Sequence, residues 1–464
     1  MPRRSWNKSK IRSSISQLIG LVGLLILLSW PALADGRQYI LEVKGSSLQP
    51  VLTTYGLTLR RQLFSSPLLT VGVVSISEED SPPGLASSVA QDPSVLRFQP
   101  DQHLNGKAPQ SPTSNQSVSN LQAWLLSMQN AQQKTNSYLN QAALGLVGSS
   151  TGNLGAGVTV AVIDTAVDTT HPVLAGKLVQ GADCVGSADC SGGVGSIWAD
   201  PVVNATLDQS TVIILDQSTV IILDQSTVII LDQSTVIILD GNSATALQGK
   251  QLPADFGHGT MVASLISAAA PNAQIMPIRA FNADGSAQLS DVVAAIYYAV
   301  NNGAKVINMS FDLDAADDTL EDAIEFATAQ GVICVASTAN VSSNAPVFPA
   351  AFSTADRSVI GVGSVDSQYG MFRSVFSGYG SPSVDVYAPG ENLIAAFPGN
   401  HFAVVSGTSF AAALASGVAA VVESTKNSSL TSYVNAITNT GTPVVFPYDG
   451  TNVVNAKSAL LNIQ

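Results

Sequence analysis

The chain has 464 residues, of which 46% are hydrophobic and 11% charged, and its formal net charge is −13. That length accommodates a leader, a small unit and one large α/β domain with a sizeable core. The negative balance argues against nucleic acid and anionic lipid as partners, since both repel an acidic surface.

Residues 1–34 hold Arg3, Arg4, Lys8, Lys10 and Arg12 ahead of the apolar run LIGLVGLLILL, with PALA just before Asp35. This is the form of a cleavable export signal, with cleavage expected after Ala34 and a secreted product, extracellular or periplasmic. Removing five basic residues and no acidic ones takes the formal charge from −13 to −18. The apolar run is short for a membrane span and no second stretch of spanning length follows. No stable membrane association is therefore expected after cleavage, an uncleaved anchor being the alternative.

Residues 35–101 read as a small α+β unit. RQYILEVKG, LLTVGVVSI and SVLRFQPD have strand patterns, while SLQPVLTTYG and PGLASSVAQ predict short helices. Residues 102–121 are polar and rich in Ser, Asn, Gln and Pro, the composition of an exposed linker. LQAWLLSMQNAQQKTNSYLNQAAL then has helical periodicity and closes a lead-in spanning 102–149.

From residue 150 to 464 strands alternate with helices. VTVAVID, AQIMPIRAF, AKVINMSF, VICVAS, SVIGVGS and VDVYAPG are short and nearly continuous in apolar character, as parallel strands covered on both faces require. Between them lie helical stretches such as TMVASLISAAA, LSDVVAAIYYAVNNG and TLEDAIEFATAQG. The prediction is an α/β doubly wound, mostly parallel sheet with its active site at the strand ends. The glycines of GNLGAGVTVAVID do not cradle a dinucleotide phosphate, because they precede a strand rather than follow one into a helix.

LDQSTVII occurs four times without change from Leu207 to Ile238. Identity this strict points to recent duplication of coding sequence, and a surface excursion is the placement expected. Each copy pairs β-branched residues with one Asp and no Pro, so it can form strands and is an aggregation hazard.

Three windows carry chemistry. Asp164 ends the apolar strand VAVIDTAVD, His258 stands before a small-residue helix in DFGHGTMVAS, and Ser409 opens an Ala-rich helix in GTSFAAALASG. A serine hydroxyl needs a neutral imidazole to take its proton, and the resulting imidazolium needs a carboxylate on its other nitrogen. The order Asp, His, Ser is one of those known for such a unit on an α/β sheet. Taken alone, GTS before a helix is more often an N-cap. Cys184 and Cys190 are spaced to close a small loop worth roughly 2 kcal/mol, with two free thiols the alternative. Cys334 reads as a small buried side chain. No metal or other cofactor is required for this chemistry. The acidic run 312–325 leaves structural calcium open, a solvated helix face being the reading preferred.

In these windows the chain resembles the subtilisin-like serine proteases. The resemblance covers about residues 150–464. A fourth window, GVICVASTAN, is similar to the strand that leads to the family's oxyanion-hole amide, which implies that role for Asn340. Residues 35–101 look like the family's inhibitory pro-segment, which implies a zymogen whose own pro-segment is an intramolecular partner, with processing between about residues 101 and 130. Protein or peptide substrates are implied. His171, in DTTHPVLAG, falls in a stretch similar to the one after the family's aspartate and is expected to be structural; His103 and His401 have no catalytic setting. Departures from the pattern are Ala166, Ala339 and Ala413, standing for two glycines and a proline, and Asp312 for a glycine beside the substrate-binding strand. A carboxylate there would narrow an apolar pocket or favour a basic substrate residue. The alternative to a peptidase is a protein of this fold that has lost catalysis and serves in binding or attachment.

Overall fold

The computed structural model describes residues 38–76, 84–104, 154–187, 190, 255–352, 359–366, 372–426, 428–444 and 451–463, with the backbone of four short strands between 214 and 238. The expected signal, the linker and the helical lead-in lie outside the described residues.

β1 (Gln38–Lys44), α1 (Gln49–Tyr55), β2 (Thr58–Ser65), β3 (Leu69–Ser75), α2 (Leu85–Ala90) and β4 (Val95–Pro100) build an antiparallel sheet in the order β2-β3-β1-β4. Alternation along β1 sends Leu41 and Val43 into a core with Val51 and Leu52 of α1 and Val89 of α2. The opposite face carries Ile40, Phe64 and Val71 into a core shared with the larger domain. Within this unit β2 is the element with no sequence forecast. Its pairing with β3 shifts register between Leu59 and Arg61 and again between Gln62 and Phe64, so the period of two that marks a strand is broken.

After β5 (His103–Leu104), the larger domain runs through β6 (Thr159–Asp164), β7 (Ala182–Asp183) and four repeat strands, β8 (Ile214–Leu215), β9 (Ile221–Ile222), β10 (Ile229–Ile230) and β11 (Ser234–Ile238). It continues through α3 (His258–Ala269), β12 (Gln274–Arg279), β13 (Ala287–Gln288), α4 (Leu289–Asn301), β14 (Val306–Met309), α5 (Asp318–Ala329), β15 (Ile333–Ser337) and β16 (Ile360–Val365). β17 (Val386–Pro389), β18 (Leu393–Phe397), β19 (His401–Ser406), α6 (Thr408–Glu423), α7 (Leu430–Asn439), β20 (Thr442–Pro443), β21 (Asn452–Val453) and α8 (Ala456–Asn462) complete it.

The main sheet has the order β20-β21-β17-β16-β15-β14-β6-β12-β7, parallel except for the β20–β21 pair. α3, α6, α7 and α8 cover one face and α4 and α5 the other, each over its own apolar core. This is the doubly wound α/β architecture expected. Strand order reverses between β6 and β14, so the crevice at their carboxyl ends is the switch point where such sheets hold ligands. α6 is buried almost all round, as its nearly unbroken Ala, Val and Leu content requires. Gly417 lets it cross α3 closely: a Cβ there would stand 2.4 Å from that of Ala269.

β11, from the fourth repeat copy, pairs antiparallel with β19, and β10 pairs with β11. The repeat's last copy thus joins the strand that leads into α6. Cys184 and Cys190 are disulfide-bonded, which settles that open pairing. Cys334 is buried, and burial pushes its thiol up to about 12.

Candidate active site

Asp164 is the last residue of β6. Its Oδ1 accepts from Thr165 N at 2.7 Å. His258 opens α3, whose first turn is pressed onto the end of β6: Gly259 N donates to Thr165 Oγ1 at 3.0 Å, and a Cβ on Gly259 would meet Thr165 O at 2.3 Å. Only glycine permits that approach. It brings the imidazole to the carboxylate, Nδ1 donating to Asp164 Oδ1 at 2.8 Å and lying 3.0 Å from Oδ2. A proton on Nδ1 leaves Nε2 as the acceptor, and Nε2 has no hydrogen-bond partner among the described residues. The ring lies 5.5 Å from that of Phe410, the residue after Ser409.

Burial drives the imidazole of His258 toward its neutral form, but the charges of Asp164 and Asp255 and the hydrogen bond to Asp164 outweigh it and raise its pKa above the ordinary 6.5. The pair is therefore suited to accept a proton onto Nε2 and to hold the cation that results.

Ser409 lies in the first turn of α6, where backbone N–H groups have no intrahelical acceptor. Its Oγ donates to Ser310 O at 3.4 Å, a weak bond that leaves the hydroxyl easily redirected. Ser310 Oγ in turn donates to Ser409 O at 2.9 Å. Asn308 Nδ2 donates to Ser310 Oγ at 2.9 Å, and Ser416 Oγ donates to Asn308 Oδ1 at 2.9 Å. This network ties β14 to α6 and fixes the position of Ser409. Sequence reasoning passed over Asn308, Ser310 and Ser416. The available signal was two polar residues inside the apolar run VINMSF, which a fully buried strand tolerates only when they are paired.

Asn340 follows β15 and is held by its own acceptor: Oδ1 receives Thr408 N at 2.8 Å. With the carboxamide so held, neither Asn340 Nδ2 nor Thr408 Oγ1 has a hydrogen-bond partner among the described residues. The Asn340 carboxamide thus lies against the amino end of α6, where the helix dipole adds partial positive charge. Such an arrangement can receive an oxyanion. Ala339, just before it, sits at φ 63°, the left-handed region in which the expected glycine would be unstrained. Ala166 and Ala413 are both buried and both outside that region. Asp164, His258, Asn340 and Ser409 are each at most 3% exposed. The structure pairs Asp164 with His258, sets the His258 ring against Phe410, the residue after Ser409, and joins Asn340 to the first turn of α6 through Thr408 N.

His171 is buried, its Nδ1 accepting from Val173 N at 3.3 Å and its ring edge-on to Phe402, a structural placement as expected. Asp312 is half-buried two residues beyond Ser310. The acidic run is a solvated face in part, with Asp314, Asp318 and Glu325 exposed. Asp317 caps α5 through Thr319 N and Leu320 N and accepts from Gln99 and Gln102, while Asp318 and Asp322 bind Arg97. Arg97 and Gln99 on β4, with Gln102 just after it, tie Asp317, Asp318 and Asp322 to the N-terminal unit. Among the described residues no group of three His, Cys, Asp or Glu is set to hold a metal ion. No helix among them is long and apolar enough to cross a membrane.

Residues 155–444 match the sequence profile of the subtilase family of S8 peptidases. The chain belongs to the subtilase family. It is 32% identical over 315 residues to the thermophilic serine proteinase of Bacillus sp. (strain AK1), covering 65% of this chain and 61% of that one. It is 35% identical over 217 residues to alkaline elastase YaB of Bacillus sp. (strain YaB), covering 44% of this chain and 55% of the relative. The match to subtilisin Savinase of Lederbergia lenta is 32% over 217 residues, 44% of this chain and 77% of the relative. The chain thus spans less than two thirds of the length of the first two. A solved cold-adapted subtilisin-like serine proteinase is 24% identical and covers 66% of this chain and 90% of its own, with a TM-score of 0.45.

Proposed function

We propose that this subtilase is a secreted serine endopeptidase that hydrolyses peptide bonds through an acyl-enzyme, with Ser409 as nucleophile, His258 as base and Asp164 as orienting carboxylate. The observation that carries the reading is the paired Asp164–His258 Nδ1 contact, with Nε2 lacking a hydrogen-bond partner among the described residues and the ring against Phe410, the residue after the helix-start Ser409. In acylation, His258 Nε2 takes the Ser409 proton as Oγ bonds the substrate carbonyl carbon. Negative charge on the carbonyl oxygen goes to Asn340 Nδ2 and the Ser409 N–H. The imidazolium then returns its proton to the leaving amine, and water repeats the sequence to free the acid.

Residues 35–101 act in this reading as an intramolecular inhibitor. Support comes from β5, which directly follows the unit and pairs antiparallel with β13, Leu104 opposite Ala287 and His103 opposite Gln288. Leu289 N also donates to Gln102 O at 2.9 Å. Chain leaving the small unit therefore adds as an extended strand to the catalytic domain, the mode in which a peptide substrate is held. Protein or peptide substrates follow from the same mode, and no cofactor is invoked.

The test is labelling by an active-site serine reagent together with peptidase rates. Wild-type protein should label once, at Ser409. Ser409→Ala should fold, since only one weak 3.4 Å bond is lost, and should lose on the order of 10⁶ in rate, the magnitude known from subtilisin. Turnover above about a tenth of wild type in that variant would remove Ser409 from the role.

A further inference from the structure

The contact between residues 38–104 and the catalytic domain is apolar at its centre, where Phe64 stacks on Tyr297 at 4.4 Å and meets Phe326 at 4.8 Å. Into this contact β1 delivers a carboxylate. Glu42 alternates with Leu41 and Val43 and so shares the Ile40 side of the sheet, where it is 1% exposed. Its Oε2 lies 3.5 Å from Arg97 Nε, and its Oε1 has no hydrogen-bond partner among the described residues. Arg97 is already engaged: Nη1 binds Asp318 at 2.7 Å and Nη2 binds Asp322, both on α5.

One guanidinium therefore faces three carboxylates. With all three ionised the cluster would carry two uncompensated negative charges, partly removed from water, which is costly enough that a proton is retained instead. The surrounding charges give no relief. Glu321 and Glu325 lie on α5 with Asp318 and Asp322, α4 presents Tyr297, β3 has no titratable residue, and Arg61 on β2 is committed to Asp291. Burial is the largest influence on Glu42, Asp322 adds to it and Arg97 opposes it, and together they push the Glu42 carboxyl up to about 8.

We propose that docking of the N-terminal segment takes up a proton at the Glu42–Asp322 pair, so that the segment holds in acid and is released as its surroundings turn neutral to alkaline. The proposal rests on the pro-segment reading above. Its sign follows from the two states. Undocked, Glu42 faces water with its ordinary value of 4.5; docked, the value is about 8. Below 4.5 both states hold the proton and docking is strongest. Between 4.5 and 8 only the docked state holds it, and docking weakens by about tenfold per pH unit; above 8 there is no further loss.

The test uses the full-length chain as Ser409→Ala with a foreign protease site inserted between residues 105 and 150. Nicking by the added protease leaves the segment bound only by its contacts. Dissociation on dilution is followed by native mass spectrometry from pH 5.5 to 7.5. The Kd should rise about 100-fold with Glu42 present and less than threefold in Glu42→Gln. Equal rises in the two, or no rise in either, overturn the proposal. Asp322→Asn, which leaves the segment itself unaltered, should cut the rise to below tenfold and decides the matter if Glu42→Gln does not fold. None of these steps needs the chain to cut anything, so the outcome is separable from serine labelling of the wild type.

Discussion

Gly259→Ala is the substitution with the most specific expected consequence. A Cβ at residue 259 falls 2.3 Å from Thr165 O and 3.3 Å from Asp164 Oδ1. An ordinary carbon–oxygen contact is about 3.3 Å or more, so the start of α3 must retreat from β6 by about 1 Å. His258 is the adjacent residue and moves with it, lengthening the 2.8 Å Nδ1–Asp164 bond toward a distance at which it no longer orients the ring. Overpacking of a filled site costs typically about 1–3 kcal/mol in stability. Displacement of a catalytic base by about 1 Å costs on the order of 10² in rate. The expectation is a kcat/KM lowered about 100-fold with KM changed little, and a melting temperature lowered by several degrees. The assay is steady-state hydrolysis of a chromogenic peptide alongside calorimetry. A variant within about threefold of wild type in kcat/KM would show that the helix start relaxes without moving His258, and would refute the claim that glycine here sets the Asp164–His258 distance.

Two further outcomes are expected. kcat/KM should rise with pH as His258 loses its proton, with a midpoint above 6.5, because Asp164 and Asp255 stabilise the imidazolium more than burial opposes it; Asp164→Asn should move that midpoint down, and a wild-type midpoint at or below 6.5 in the pH profile would refute the balance. Variants keeping one, two or four LDQSTVII copies should match in melting temperature and rate, since an eight-residue shift offers the same STVII to β19 and loop closure changes by only tenths of a kcal/mol. A progressive loss of both with each copy removed would make the repeat part of the protein's framework.

The amino-acid sequence by itself determined whatever rests on local pattern. Short apolar strands in alternation with small-residue helices can only be covered on both sides, and the doubly wound sheet follows. Asp164, His258 and Ser409 stood out because each lies at the start or end of a periodic element, whereas Asn340 was singled out only through the resemblance of its window to the subtilisin-like proteases. β2 was not legible, because its two register shifts erase the period of two. Tertiary structure alone decided what depends on contacts between distant segments. It turned Asn340 Oδ1 onto Thr408 N, with Nδ2 lacking a hydrogen-bond partner among the described residues. It tied Ser409 to β14 through Ser310, Asn308 and Ser416, and it laid the acidic stripe of α5 against Arg97. Glu42 shows the difference most sharply: along β1 it is one carboxylate in an alternating strand, ordinary in water. Its burial against α4 and α5, beside a guanidinium already shared by two aspartates, comes from surfaces some 250 residues apart in the chain, and no window of sequence contains both.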